Sequence, residues 1–275
     1  MSNEFGGLWT YIKLGVLSEY LNAYIKVFTD YPYMKLLYVD AFAGTGECST
    51  RIGNIDGSAK LALNIERFDE YIFIELDPSK VLFLEKLRKE YPDKKITIIN
   101  GDCNKEIKKI ISKYNWGSTR AVSFLDPYKM ELSFDTLRQL SKTKAFDVWY
   151  LFPIGQATRA LKNDGQITKL MESQLNNLFG DNNWKENLYY EDPQLNLFGN
   201  SSLMRVNQKN ICCYFKEKLE NEFVLATCPL WLKNTNNAPL FLLYFAASNK
   251  RGKDIAKRIA EHLINREQTF VCDYR

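Results

Sequence analysis

Lys35-Leu36-Leu37-Tyr38-Val39-Asp40-Ala41-Phe42-Ala43-Gly44-Thr45-Gly46 is the stretch that decides the fold of this chain. A short β-prone run, Lys35 to Phe42, breaks directly into a glycine-bearing turn, as a buried parallel strand does where it opens onto a ligand. Upstream, apolar residues at 17, 20, 21, 24, 25 and 28 give Leu8–Phe28 the spacing of one helical face, and Tyr31-Pro32 ends it. Downstream the pattern repeats. Tyr71 to Leu76, Lys95 to Asn100, Thr119 to Leu125 and Ala145 to Pro153 read as strands, and 58–67, 78–91, 104–114 and 133–143 carry helical spacing between them. Strands alternating with helices imply right-handed crossovers and a mainly parallel sheet, that is, a doubly wound, Rossmann-like α/β fold.

Between Gly155 and Asn210 the texture changes. Asn176, Asn177, Asn182, Asn183 and Asn187 cluster with Trp184, Tyr189 and Tyr190, then Pro193 and Gly199, so 155–210 is expected to be a lid or substrate-recognition insert within one domain spanning 1–275. Strands return at Glu222–Lys233 and Ala238–Ser248, and the turn formers Asn234 to Asn237 predict an antiparallel hairpin. A helix with a basic face, Lys250 to Asn265, follows, and a solvated face is its default reading.

Lys and Arg number 37 against 33 Asp and Glu, a net charge of +4, which lacks the field of a protein held to DNA mainly through phosphates. With 45% hydrophobic and 25% charged residues the chain is an ordinary globular one, and 275 residues bury a sizeable core without staples. No apolar run spans a bilayer and Met1–Gly7 lacks the order of a signal peptide, so a cytoplasmic protein with no membrane contact is expected. The six cysteines, at 48, 103, 212, 213, 228 and 272, include no C-x-x-C pair and read as reduced thiols. A single histidine, His262, leaves almost no raw material for a zinc site or a Ser-His-Asp triad, and no metal is expected.

Ligands of an open α/β sheet bind at the carboxyl ends of its strands. Strand one ends in Asp40 to Gly46, where the paired Gly44 and Gly46 let the backbone approach a ligand closely, and Phe42 is expected with them at the cofactor. Strand two ends in Glu75-Leu76-Asp77, where an acid can take both hydroxyls of a ribose. Strand three offers Asp102 to an exocyclic amine, and strand four ends in Asp126-Pro127-Tyr128, a polar group beside an aromatic face. Gly44-x-Gly46 runs on into Glu47-Cys48-Ser49, with no third glycine for a pyrophosphate. A phosphate-free nucleoside cofactor fits better. S-adenosyl-L-methionine is the expected one, with Asp40 placed to meet its positive end.

The run from Asp40 to Gly46, with Asp56-Gly57-Ser58, Phe73 to Asp77, Gly101-Asp102, Phe124 to Tyr128, Asp147 to Pro153 and Leu243 to Ser248, resembles the three-Cys-motif partner family, TcmP. That family is similar to class I S-adenosylmethionine-dependent methyltransferases and is named for occurring beside a phage-type protein with a three-cysteine motif. The resemblance implies fold and cofactor, and a three-Cys-motif protein as a possible partner. Asp126-Pro127-Tyr128 also resembles the D-P-P-Y signature of amino-methyltransferases, with one proline fewer and Lys129 following. There the acid and a proline carbonyl accept hydrogen bonds from the target amine and the ring stacks on the base. The expected activity is therefore methyl transfer to an amino group, with nucleic acid the leading substrate class and Arg159 and Lys162 its phosphate contacts. A protein or small-molecule methyltransferase, and a non-catalytic partner module, are the rivals. Ser58 is expected as a helix N-cap, Tyr20 and Tyr24 as core, and Trp184, Tyr189 and Tyr190 either as base-stacking rings or as anchors of the insert. Cys103, without a charged activator, is expected to have no redox role.

Overall fold

A computed structural model of the protein describes residues 7–50, 53–191 and 203–273. In chain order its strands are β1 (Lys35–Asp40), β2 (Glu47–Thr50), β3 (Gly53–Asp56), β4 (Glu70–Glu75), β5 (Ile96–Asn100), β6 (Thr119–Leu125), β7 (Phe146–Phe152), β8 (Tyr189–Glu191), β9 (Leu203–Arg205), β10 (Leu225–Ala226), β11 (Leu230–Lys233) and β12 (Pro239–Ala247), and the central sheet has the order β10-β12-β7-β6-β1-β4-β5, with β11 also pairing β12. The five strands β5 (Ile96–Asn100), β4 (Glu70–Glu75), β1 (Lys35–Asp40), β6 (Thr119–Leu125) and β7 (Phe146–Phe152) run parallel. β12 (Pro239–Ala247) runs antiparallel to β7 and carries β10 (Leu225–Ala226) and β11 (Leu230–Lys233) on its other side. This is the mixed, mostly parallel Rossmann-like architecture with a C-terminal antiparallel hairpin. The hairpin turns as its asparagines require: Asn237 sits at φ +61° and the Asn234 side chain accepts from the backbone of Asn236 and Ala238.

The chain builds outward from β1 through β4 to β5, then crosses back to β6 on the other side of β1. Strand order therefore reverses between β1 and β6, the switch point at which such sheets bind ligands. Helices change face there too. α1 (Leu8–Val27), α2 (Ser58–Leu63), α3 (Pro78–Glu90) and the C-terminal α10 (Lys253–Asp273) cover one face through Leu17, Tyr20, Ala62, Leu84 and Ala260. α4 (Cys103–Lys113), α5 (Phe134–Lys142), α6 (Ile154–Ala160), α7 (Lys169–Phe179), α8 (Trp184–Asn187) and α9 (Gln208–Glu222) cover the other, with Ile107, Leu137, Ala157, Phe179, Trp184 and Phe215 in its core. Every central strand is buried on both sides, which is why each reads as a continuous apolar run.

The segment expected as a lid divides. Up to Tyr189 it is packed structure: Trp184 is buried with its indole N–H on Asn176 Oδ1 at 2.8 Å, and the Tyr189 hydroxyl donates to the Lys162 carbonyl at 2.9 Å. These two rings are anchors, while Tyr190 is half exposed. Residues 192–202, with Pro193 and Gly199, lie outside the described residues. The strand expected from Glu222 starts later, because Gln208–Glu222 is a helix capped by Asn207, whose side chain accepts from Asn210 N at 3.0 Å. Its buried Ile211, Cys212, Phe215 and Leu219 carry a helical period that the unbroken β-prone run Ile211 to Phe215 obscures. Among the described residues no helix is long and apolar enough to cross a membrane. Lys250, Arg251, Lys257 and Arg258 lie on a solvent-exposed face.

Candidate active site

Strand register brings the expected residues to one rim. Asp40 pairs with Phe73 of β4 and with Phe124 of β6, so Glu75 and Asp126 each stand two residues beyond its level, and Glu75 itself pairs with Asn100. The loop leaving β1 turns at Gly44 (φ +62°) and Gly46 (φ +81°), both left-handed. Space above Gly44 is open, with no atom within 4 Å of where a Cβ would lie. Gly46 is close-packed instead: a Cβ there would lie 2.7 Å from Leu87 Cδ2, and Gly57 N donates to its carbonyl at 2.8 Å. Gly46→Ala should therefore cost about 1 to 2 kcal/mol for the left-handed backbone alone. Urea denaturation measures it, and unchanged stability would mean the loop can rearrange around a side chain.

Glu75 is buried and straps this loop to the next helix. Its Oε2 accepts from Gly44 N and its Oε1 from Asp77 N, each at 2.9 Å. Ala43 N donates to the Ile74 carbonyl beside it at 3.0 Å. Asp77 caps α3, accepting from Ser79 N at 2.8 Å and the Ser79 hydroxyl at 2.7 Å, which hold its carboxyl below the usual range. Asp102 caps α4 through Lys105 N at 3.1 Å. Phe42 packs partly buried against the core on the α4 side of the sheet. Capping is thus the contact the structure gives Asp77 and Asp102, and both stand on the rim where the sequence places them.

Asp40 differs from its expected role of facing a ligand's positive charge. It is fully buried and collects donors from the loop: Phe42 N at 3.3 Å, the Tyr38 hydroxyl at 3.4 Å and the Ser58 hydroxyl. Ser58 is correspondingly not the cap expected of it, since Gly57 holds that position and the serine turns inward to Asp40. Burial, with the nearby Asp126 charge adding to it, raises the Asp40 carboxyl to about 7. A carboxyl raised on folding makes the folded state bind a proton more tightly than the unfolded chain, so stability falls as pH rises from about 4 to 7. Asp147, raised to about 6 by burial, acts in the same direction. Asp40→Asn should shrink the stability lost between about pH 5 and pH 8 by about 2 to 3 kcal/mol. Chemical denaturation at the two pH values reads this, and an unaltered loss would assign the titration elsewhere.

Asp126 has a partner that the sequence reading did not find. Lys13 of α1 reaches across the rim to Asp126 Oδ2, with side-chain exposures of 7% for the lysine and 24% for the acid. The ammonium also lies 4.8 Å from the centre of the Trp9 ring, which packs on Phe241 of β12. A signal was present: Thr10, Lys13, Leu17, Tyr20 and Tyr24 fall on one helical stripe, so the lysine occupies a core-facing position. Pro127 is buried, Tyr128 is exposed, and Gln156 of α6 donates to the Tyr128 carbonyl at 3.0 Å, fixing the turn. Lys129 lies over the Tyr128 ring at 5.6 Å. Arg159 and Lys162, on α6 and just beyond it, are exposed past the same end of β7. Cys103 is buried, and burial pushes its thiol up to about 12, so it stays protonated.

No family model matches the chain, and no curated protein is similar to it in sequence. Among solved structures it is similar to protein LPL1258 of Legionella pneumophila, of the DUF519 family, with 13% identity and a TM-score of 0.53 over 94% of this chain and 92% of that one. The putative methyltransferase YhhF of Escherichia coli aligns at 13% identity and a TM-score of 0.33, over 49% and 69% of the two chains. The N-terminal domain of EvdMO1, crystallised with S-adenosylhomocysteine and D-fucose, aligns at 8% identity and a TM-score of 0.40, over 83% and 82%. At these values the first likeness speaks for the fold and the other two carry no weight.

Proposed function

We propose that this protein is an S-adenosylmethionine-dependent methyltransferase acting on an amino group, with nucleic acid as the substrate class. The observation that carries this reading is the arrangement at the switch point. A carboxylate oxygen of Asp126 holds an N–H donor, the Lys13 ammonium, beside the exposed Tyr128 ring and two strands from the Glu75 strap. That oxygen is aimed to accept from nitrogen, which is what an acceptor amine requires if its lone pair is to stay free.

The residues fit the cofactor on the β1 side of this point. The open space above left-handed Gly44 admits a ligand against the backbone, and each Glu75 oxygen, having spent one lone pair on an amide, keeps another for a ribose hydroxyl. The Asp102 cap uses Oδ1 and leaves Oδ2 for an exocyclic amine. Asp40 is a positioning residue for the loop. The bound cofactor would supply a methyl group on a cationic sulfur, ready for in-line displacement. The chain's task is then alignment: Asp126 orients the acceptor nitrogen, Tyr128 stacks on its ring, Gln156 steadies the turn, and Arg159 and Lys162 meet phosphates.

The resemblance to the TcmP family supports a further part of the proposal, that a three-Cys-motif protein is the working partner. Transfer of a tritiated methyl group to fractionated DNA, RNA and protein tests the activity. Label in a nucleic-acid fraction is expected. Label confined to protein would move the substrate class, and no label together with capture of a three-Cys-motif protein would favour a non-catalytic module.

A further inference from the structure

Lys13 stands where the methyl-transfer reading puts a substrate. Its ε-ammonium lies on Asp126 Oδ2, the oxygen an acceptor amine would use, so the protein fills that position with an amine of its own. The lysine comes from the core-facing stripe of α1 and its side chain is 7% exposed, whereas Lys129 and Lys162 on the same rim are open to solvent. The Trp9 ring, its centre 4.8 Å from the ammonium, covers one side.

The ammonium also neighbours the glycine loop. Cys48 of β2 follows Gly46 by two residues; burial pushes its thiol up, and the charges of Lys13, Asp126 and Asp40 all reach it. Lys13 and Asp126 therefore share one neighbourhood with the loop whose open space above Gly44 suits a cofactor. An amine fixed beside a methyl donor reacts intramolecularly, without the entropic cost of bringing a second molecule to the site. A lysine becomes a nucleophile once it loses a proton, and a second cation brought near it favours that loss.

We infer that the chain methylates itself at Nζ of Lys13, an inference that rests on the methyl-transfer reading of the Asp126 rim. Nζ gives one proton through Asp126 to water, its lone pair forms the N–C bond, the methyl–sulfur bond breaks, and that electron pair stays on sulfur as S-adenosylhomocysteine leaves. The product keeps its positive charge for Asp126, and the Trp9 face suits a methylated ammonium.

Two measurements on the full chain test this. Calorimetry at about pH 8.5, where Asp40 is already ionised, in buffers of different ionisation enthalpy counts the protons released on binding. S-adenosylmethionine should release more than S-adenosylhomocysteine does, and Lys13→Met should abolish the difference. Peptide mass spectrometry after incubation with methyl-labelled S-adenosylmethionine should find label on Lys13 at least about tenfold ahead of Lys129 and Lys162, at a rate per chain independent of protein concentration. Label spread evenly over the lysines is chemical background, and a rate that rises with protein concentration is transfer between chains; either overturns the inference. Equal proton release by the two ligands in the wild-type protein also overturns it, because Lys13 then does not meet the methyl donor. Bound cofactor with Lys13 unlabelled overturns it alone, while failure of the cofactor to bind overturns the methyl-transfer reading with it.

Discussion

Asp126→Ala is expected to reduce methyl transfer by roughly a hundred- to a thousandfold, the loss typical of removing one preorganised hydrogen-bonding group from an active site. Cofactor affinity should stay within a factor of about three, because the strap that would cradle it belongs to β1 and β4. The substitution has a structural cost as well. It strands the Lys13 ammonium at 7% exposure beside the Trp9 face, and breaking a largely buried pair from one side costs about 3 kcal/mol or less once the 24% exposure of the acid is allowed for. A double variant, Lys13→Met with Asp126→Ala, removes the stranded charge. Thermal melting should show the double variant recovering most of the stability lost by the single one, while transfer stays abolished in both. Recovery of transfer in the double variant would sink the acceptor role, since the single loss would then be one of folding. Equal loss of cofactor binding and of transfer in Asp126→Ala would likewise count against it.

The difference between Asp126 and Lys13 is also the difference between what the sequence exposes and what it conceals. The four inner parallel strands were legible because a strand covered on both faces has no polar alternation to confuse it, and Thr119–Leu125 has the same bounds in both readings. The rim acids were legible because strand ends in this architecture converge, so Asp40, Glu75, Asp102 and Asp126 could be read in order without any contact being known. What each acid bonds to was not legible. Asp40 and Asp126 look alike in the sequence, yet one is fully buried under Tyr38, Phe42 and Ser58 and the other faces a lysine 113 positions away. Asp77 and Asp102 precede helices, and their caps are local; there the short-range rule that was applied to Ser58 holds for its neighbours and fails for Ser58 itself. A serine one residue inside a helix has a long-range choice of partner, and a buried carboxyl outcompetes its own backbone for the hydroxyl. The α9 helix was hidden for a different reason: Ile211, Phe215 and Leu219 lie on one helical face, but the unbroken run Ile211-Cys212-Cys213-Tyr214-Phe215 in its first half shows no period by itself.

Glu75 presents the sharpest ambiguity, since it straps the loop and stands where a ribose would be held, and the two roles predict different thermodynamics. Glu75→Ala leaves the amides of Gly44 and Asp77 without their acceptor, so stability should fall by about 2 to 4 kcal/mol, two buried groups at the usual cost of an unmet hydrogen bond. Cofactor affinity should fall by about 1 to 3 kcal/mol, roughly five- to 150-fold, and unchanged affinity by calorimetry would reject any ribose contact. A fall by itself does not separate the roles, because a slackened loop also binds weakly. Glu75→Gln keeps one carbonyl acceptor for the loop and exchanges the other for an amide donor, so it should fold more stably than the alanine variant. Pairing it with a cofactor that lacks a ribose hydroxyl closes a thermodynamic cycle. If the carboxylate touches the hydroxyl, wild-type protein should lose about tenfold in affinity on removal of the hydroxyl and the glutamine variant much less. Additive losses would instead make Glu75 a strap alone, holding Gly44 open while the ribose is recognised by other groups on the rim.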